Sequence, residues 1–185
     1  KPLSLSLAGA LAIRDAAKSA QRQVMVGHLI RYHAAFIELQ KQLAAGTIGS
    51  LCHVQANRLA MGRIRTTESV LFDLCPHDLS LILALVGDQP NKIHCVGASH
   101  ITPGVVDFLT SFLGFDSGVS AGMQTSWLSP FKEHRLTVTG SAGALVFDDT
   151  KPWPEKLTLF QDQMQLNGEH FLIDRASPIT LPLTE

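Results

Sequence analysis

The sequence predicts an α+β fold in which helices flank a mainly antiparallel, open sheet. Two observations carry this prediction. The first half of the chain places apolar residues at helical spacing, and Gly46 and Gly87 stand where helices would end. The second half consists of short, β-rich segments separated by turns that contain glycine. Helices that cover one face of such a sheet would complete its core.

The first 27 residues are typical of an α/β fragment. Ser4 is placed to cap a helix that ends near Gln21. The segment from Val24 to Val26 predicts a short buried strand that is closed by Gly27. The apolar face of the predicted helix comprises Leu7, Ala8, Leu11, Ala12 and Ala16.

The middle of the chain predicts two more helices and a strand. An amphipathic helix should run from Ala34 to Ala45, and a strand from Leu51 to Met61. A third helical pattern extends from Glu68 to Val86 and includes Pro76. Because proline has no backbone N–H, this helix should kink or restart at Pro76.

The second half predicts consecutive strands with short connections, a pattern that favours an antiparallel meander. Turns are expected at residues 116–118 and 140–143. The predicted strands are Lys92 to Ala98, Val105 to Phe115, Val119 to Leu128, Arg135 to Thr139, Ala144 to Phe147 and Lys156 to Phe160.

The third of these strands predicts an oligomer. Its alternate residues form an apolar face, Val119, Ala121, Met123 and Thr125, opposite a small polar one, Ser120, Gly122, Gln124 and Ser126. An apolar sheet face must be buried, so we expect a homo-oligomer, at least a dimer, through the apolar face.

Composition excludes several classes of protein. The chain has 185 residues, 45% hydrophobic and 17% charged, with a net charge of -1, which predicts a globular domain. The absence of a basic excess argues against a nucleic-acid partner. The longest apolar run, Leu79 to Val86, is too short to span a membrane. Three cysteines without a CxxC pair favour a reducing, cytoplasmic location.

Asp73 and His77 are the candidate catalytic residues. Four positions apart on a helix, they would share a face, and a carboxylate beside an imidazole is a common way to build a general base. The alternative is a surface pair with a minor stabilising role. Asp73, Cys75 and His77 alternate too closely for one helix to aim all three at an ion, so no metal site is predicted.

Basic side chains are the candidate substrate ligands. Arginine suits phosphate and carboxylate groups, and the alternative for each cation is a solvated surface or an ion pair. The candidates are Arg31, Arg63, Arg65 and Lys132, and Arg58 lies in the same basic stretch of sequence.

In their order and spacing, several motifs resemble the glucose–fructose oxidoreductase, inositol dehydrogenase and rhizopine-catabolism (Gfo/Idh/MocA) family, over nearly the whole chain. The matching segments are Lys1-Pro2, Val26-Gly27-His28 with Arg31-Tyr32-His33, Gly46-Thr47-Ile48-Gly49, Asp73 with His77-Asp78, and Gly140-Ser141-Ala142-Gly143. The stretch from Ser126 to Lys132, continuing to Asp149, resembles a subgroup associated with nucleotide sugars.

The resemblance implies a sugar oxidoreductase that uses NAD or NADP. Lys1 would lie near the nicotinamide and the reacting hydroxyl, and His77 would accept the hydroxyl proton. Asp73 would orient His77 or touch the substrate. The substrate would be a sugar, free or nucleotide-linked, with the arginines near its phosphates.

The resemblance also implies two parts. Residues 1–27 would be the C-terminal end of a truncated Rossmann domain, and residues 28–185 a substrate-binding and oligomerisation domain. No GxGxxG cofactor fingerprint occurs in the chain, so the piece alone is expected to be inactive and not to bind NAD(H). Two alternatives stay open, a non-catalytic sugar-binding or assembly domain that keeps the family sheet, and an unrelated α+β binding module.

Overall fold

The computed structural model of the chain describes residues 2–183. Its helices are α1 (Leu7–Ser19), α2 (Ala34–Ala44), α3 (Val70–Asp73) and α4 (Cys75–Val86), with 3-10 turns at Leu29–Tyr32 and Trp153–Glu155. Its strands are β1 (Leu51–Leu59), β2 (Lys92–Ala98), β3 (Phe108–Gly114), β4 (Ser120–Ser126), β5 (Glu133–Gly140), β6 (Gly143–Asp148), β7 (Leu157–Phe160), β8 (Gln163–Asn167), β9 (His170–Asp174) and β10 (Ile179–Thr180). None of the helices in this range is long and apolar enough to cross a membrane.

Eight strands form one open sheet, in the order β10-β7-β6-β5-β1-β4-β3-β2, and β8 pairs with β9 separately. Every pairing in the large sheet is antiparallel except that of β1 with β4. The predicted α+β class with a mainly antiparallel sheet is therefore confirmed. The uninterrupted meander is wrong, because β1 lies between β4 and β5. Val54 and Ala56 of β1 are fully buried, as expected for a strand at the centre of a sheet.

The core lies between α2, α4 and one face of the sheet. Phe36 and Leu39 of α2 and Leu81 and Ile82 of α4 are buried there. The sheet residues that meet these helices include Val54, Ala121, Met123, Leu136, Val138, Leu145 and Phe147.

The apolar face of β4 is part of this core. Ala121 and Thr125 have no exposed surface and Met123 has 5%. The prediction that this face mediates oligomerisation is therefore wrong, because helices of the same chain already cover it. An alternating strand shows that one face is buried but does not show by what.

The N-terminal segment differs from its prediction in two ways. The helix cap is Ser6, whose hydroxyl accepts from the Gly9 amide at 3.1 Å, while Ser4 lies outside the helix. Residues 24–26 form no strand, and Met25 is 75% exposed. An extended segment becomes a strand only beside another strand, and none in residues 2–183 pairs with this one.

Two glycine-containing turns that were singled out in the sequence lie against each other. The Ala142 amide donates to the Ile48 carbonyl at 2.9 Å, and the Ser141 amide donates to the Ser50 carbonyl at 2.9 Å. A Cβ at Gly140 would stand 2.1 Å from the Ile48 oxygen, so only glycine permits this approach. This contact holds the two turns together at the end of the central strands that lies away from the first turn of α4.

Candidate active site at the start of α4

The predicted third helix is two helices, and the break separates Asp73 from His77. Asp73 is the last residue of α3, Leu74 connects the helices, and α4 starts at Cys75. Pro76 occupies the first turn of α4, where a missing N–H costs no helical hydrogen bond. The predicted restart at Pro76 is confirmed, and α4 ends as expected at Gly87, which adopts a left-handed conformation.

The Asp73 carboxylate is held by donors on both oxygens. Arg65 donates to Oδ1 from Nε at 3.2 Å and from Nη2 at 3.0 Å, and the Trp127 indole donates to Oδ2 at 3.2 Å. The bond to Asp73 raises the pKa of Arg65 above its ordinary value. Trp127 is buried, so its ring gives Asp73 a rigid partner. Arg65, predicted to bind substrate, thus lies against Asp73.

His77 is half-buried in the first turn of α4, where its carbonyl accepts from the Ser80 hydroxyl at 2.6 Å. Cys75 and Asp78, which flank His77 in the sequence, both contact side chains of the sheet. The Cys75 sulfur lies 3.3 Å from the Thr125 hydroxyl. Burial raises the pKa of Cys75 to about 11, so this thiol is not a nucleophile at neutral pH.

Asp78 forms a buried ion pair with Arg58 of β1. Nε of Arg58 lies 3.0 Å from both carboxylate oxygens, and Nη2 lies 2.7 Å from Oδ1. Burial raises the pKa of Asp78, and the guanidinium opposes that rise. Two-pronged bonding of this length favours the ionised carboxylate.

The Arg58–Asp78 pair was missed in the sequence, although a signal was present. Arg58 is in phase with Val54 and Ala56, the buried residues of β1, so its side chain had to enter the core. Asp78 is in phase with Leu81 and Ile82 on the buried face of α4. A charged side chain that lies in a core requires an opposite charge beside it. The buried positions of Arg58 and Asp78 therefore indicated that the two could be partners.

His134 borders the ion pair. It is the register partner of Arg58 on β5 and is half-buried. Burial, with the charges of Arg58 and Lys132, lowers the pKa of His134 to about 4, and Asp149 and Asp148 oppose part of this change. His134 is therefore a neutral imidazole at pH 7.

His33, next to the 3-10 turn, serves a structural role. Its Nδ1 accepts from the Ala35 amide at 3.1 Å and so caps α2. Its ring lies 5.0 Å from that of Phe147 and 5.3 Å from that of Trp153. Burial lowers the pKa of His33, although Asp149 lies 3.8 Å from Nε2. Neutral His33 carries its proton on Nε2, since Nδ1 is an acceptor.

The other candidate residues are more dispersed. Arg31, Arg63 and Lys132 are exposed, and the turn that carries Arg31 contacts α4. Lys1 lies outside the described residues. The segment that follows it, residues 2–5, lines a shallow cleft with Glu68 and Phe72, beside α3. Within residues 2–183 no group of three potential metal ligands comes together.

Known proteins resemble this chain along most of its length. A family model for the GFO/IDH/MocA C-terminal domain matches residues 36–146. UDP-N-acetylglucosamine 3-dehydrogenase from Acidithiobacillus ferrooxidans is 31% identical over 127 residues, which are 68% of this chain and 39% of that protein. NAD(+)-dependent scyllo-inositol 2-dehydrogenase from Bacillus subtilis is 25% identical over 156 residues, 78% of this chain and 46% of the relative.

The fold also matches solved structures. A crystal form of UDP-N-acetylglucosamine 3-dehydrogenase from Acidithiobacillus ferrooxidans aligns with a TM-score of 0.77 at 24% identity, covering 100% of this chain and 55% of the other. The chain therefore spans about half the length, or less, of the proteins that it matches.

Protonation of His134 should destabilise the fold. Above pH 6.5 the ring is neutral in both states, whereas between pH 6.5 and about 4 only the unfolded chain binds the proton. The free energy of unfolding should therefore fall on acidification in this window, by about 1 kcal/mol for His134 because part of its ring is hydrated. Urea titrations at pH 7.5 and 4.5 should show this loss reduced in His134→Asn. His94→Asn, on exposed β2, is the control, and equal losses in wild type and His134→Asn would contradict the assignment.

Proposed function

The chain belongs to the GFO/IDH/MocA family, and we propose that it forms the substrate-side part of a nicotinamide-dependent sugar oxidoreductase. The family match is combined with a half-buried imidazole, His77, at the first turn of a helix whose neighbouring carboxylate, Asp73, is held by two donors. That combination is the observation that carries the proposal.

We propose that residues 1–27 are the end of a dinucleotide-binding domain and residues 28–185 a substrate domain. The buried core draws no residue from α1. Leu7 is 76% exposed, and Met25 is exposed as well. Apolar side chains at this density need a cover, and the remainder of a dinucleotide-binding domain would supply it. The chain has no GxGxxG fingerprint, so the residues that cradle NAD or NADP would lie in the longer protein, before Lys1.

His77 would act as the general base. When a sugar hydroxyl is oxidised, its carbon loses a hydride and its oxygen loses a proton, and the cofactor supplies only the hydride acceptor. An alcohol is too weak an acid to release the proton unaided at neutral pH, whereas imidazole has suitable basicity. Lys1 would stabilise the developing alkoxide. Asp73 would fix the positions of the Arg65 and Trp127 side chains beside the site, through the hydrogen bonds that it accepts from them.

The proposed substrate is a nucleotide-linked sugar. The support is the relative whose name specifies UDP-N-acetylglucosamine, together with exposed cations among the candidate substrate ligands. Arg31, Arg63 and Lys132 are exposed and could meet phosphates. Arg65 would have to share its guanidinium between Asp73 and a phosphate.

One observation favours the alternative, a sugar-binding or assembly domain without catalysis. Both carboxylate oxygens of Asp73 already accept bonds, from Arg65 and Trp127. A carboxylate used in this way can hold the fold together without serving a reaction. Substitution of His77 separates the two functions.

In the longer protein, His77→Ala should lower kcat/KM by roughly 100- to 10,000-fold, the usual contribution of a positioned general base. The defect should shrink as pH rises, because hydroxide can replace the lost base. Turnover is measured by absorbance of the reduced nicotinamide, with UDP-N-acetylglucosamine and the free sugar as substrates. His94→Ala is the control. Near-normal turnover of His77→Ala at every pH would favour the non-catalytic alternative.

We also propose a homo-oligomer, through the outer face of the sheet rather than the covered one. That face carries half-exposed polar residues that hydrogen-bond between neighbouring strands. His53 bonds to Ser120 at 2.8 Å, and Asn57 bonds to Glu133 at 2.9 Å. A wide, ordered polar surface can pair with a copy of itself about a twofold axis.

Light scattering should give twice the chain mass of 20.1 kDa. Thr137→Arg, in the middle of the outer face, should give the monomer mass, because two arginines would meet near the axis. Gln161→Arg, beyond the end of β7, should leave the dimer intact. A monomer mass for wild type at high concentration would contradict the proposal.

A further inference from the structure

We infer that Arg58 and Thr125 are positioning residues, which fix the place of His77 by holding Asp78 and Cys75 on either side of it. The inference rests on the proposed function, in which His77 is the base. It assigns a role in the reaction to two sheet residues whose side chains bond to Asp78 and Cys75.

The two anchors are neighbours on the sheet. Arg58 of β1 and Thr125 of β4 are register partners on the parallel pair of strands, and both point to the helical face. Cys75 and Asp78 are three apart and therefore share a face of α4. Two neighbouring residues of the sheet thus hold Cys75 and Asp78, which are neighbours on one face of α4. His77 lies between Cys75 and Asp78 in the sequence.

The ion pair is directional as well as close. Because three N–O distances of 2.7–3.0 Å join the guanidinium to the carboxylate, the two groups must stay nearly coplanar. The side chains of Arg58 and Asp78 are only 10% and 5% exposed, so water does not compete for these bonds. A rotation of the first turn of α4 would break this two-pronged set of hydrogen bonds, the fork.

The first turn of α4 requires such an anchor. No side chain caps its N-terminus; the preceding residue, Leu74, connects it to α3 and accepts the His77 amide on its carbonyl at 3.2 Å. A helix end without a cap frays readily. A displacement of about 1 Å at a catalytic group can cost about 100-fold in rate. The anchors hold the turn at the point where such a displacement would matter.

Stability alone does not account for the ion pair. Desolvation offsets most of the attraction in a buried pair, and hydrophobic replacements of similar volume are often as stable. The fork specifies one orientation, which a pair of apolar side chains would not. This difference allows positioning and stability to be tested separately.

The test replaces both charges, as Arg58→Met with Asp78→Leu, in the longer protein. Thermal unfolding should stay within about 5 °C of wild type, because no charge is left unpaired. We expect kcat to fall roughly 10- to 100-fold with KM changed less than about 3-fold. Asp162→Asn with Arg175→Gln, which removes an exposed ion pair, is the matched control and should leave kcat unchanged.

Combination with His77→Ala identifies the cause. If the anchors act through His77, replacing the ion pair in a His77→Ala background should cost less than about 3-fold, since the positioned group is already gone. An equal loss in both backgrounds would overturn the inference, as would a wild-type kcat in the stable double variant.

A conservative variant covers the case in which the double variant does not fold. Arg58→Lys keeps the charge but loses the fork, and it should lower kcat about 5-fold or more. A wild-type kcat for Arg58→Lys would overturn the inference.

A readout without turnover separates this inference from the proposed function. If wild type and His77→Ala turn over equally, the proposed function fails. The line width of the His77 ring signals in NMR spectra of the 185-residue chain then shows whether Arg58 and Thr125 still fix the position of His77. Broadening in Arg58→Lys supports the anchor, and an unchanged line overturns it.

Discussion

The ion pair between Arg58 and Asp78 is the constraint on which the arrangement of this domain depends. A charge on the buried face of a central strand destabilises the core unless an opposite charge meets it there. Asp78 can do so only if the first turn of α4 lies directly over Arg58. The position of α4 sets that of His77, and the break before Cys75 leaves Asp73 free to turn toward Arg65 and Trp127. One electrostatic requirement thus links the sheet, the helical layer and the candidate base.

The insertion of β1 between β4 and β5 gives the pair its surroundings. Because β1 runs parallel to β4 and antiparallel to β5, Arg58 has Thr125 on one side and His134 on the other. Thr125 meets Cys75, the second anchor of α4. His134 stays neutral at pH 7, because burial and the adjacent cation lower its pKa. The consecutive strands β4 and β5, with β1 from much earlier in the chain between them, therefore form the surface beneath the helix.

Local signals in the sequence predicted local structure well. Pro76 predicted the restart of the helix, and Gly87 predicted its end, because each depends on the backbone of a single residue. The period-two pattern of β4 correctly indicated a buried face, but whether a helix or another subunit covers that face depends on distant residues. The same limit explains the position of β1 and the missing strand at residues 24–26, whereas the phase of Arg58 on β1 and of Asp78 on α4 did indicate a buried ion pair. The roles proposed for Lys1, Asp73 and His77 rest on family resemblance, since the spacing of Asp73 and His77 alone also fits a surface pair.

We propose that this chain supplies the substrate side of a nicotinamide-dependent enzyme and that other residues of that enzyme hold the cofactor. Calorimetry of NADH binding, to the 185-residue chain and to the longer protein, tests it most directly. We expect micromolar affinity for the longer protein and no measurable binding to the chain alone, which has no GxGxxG cradle. Micromolar binding to the chain alone would rule this proposal out, because the cofactor site would then lie within these 185 residues.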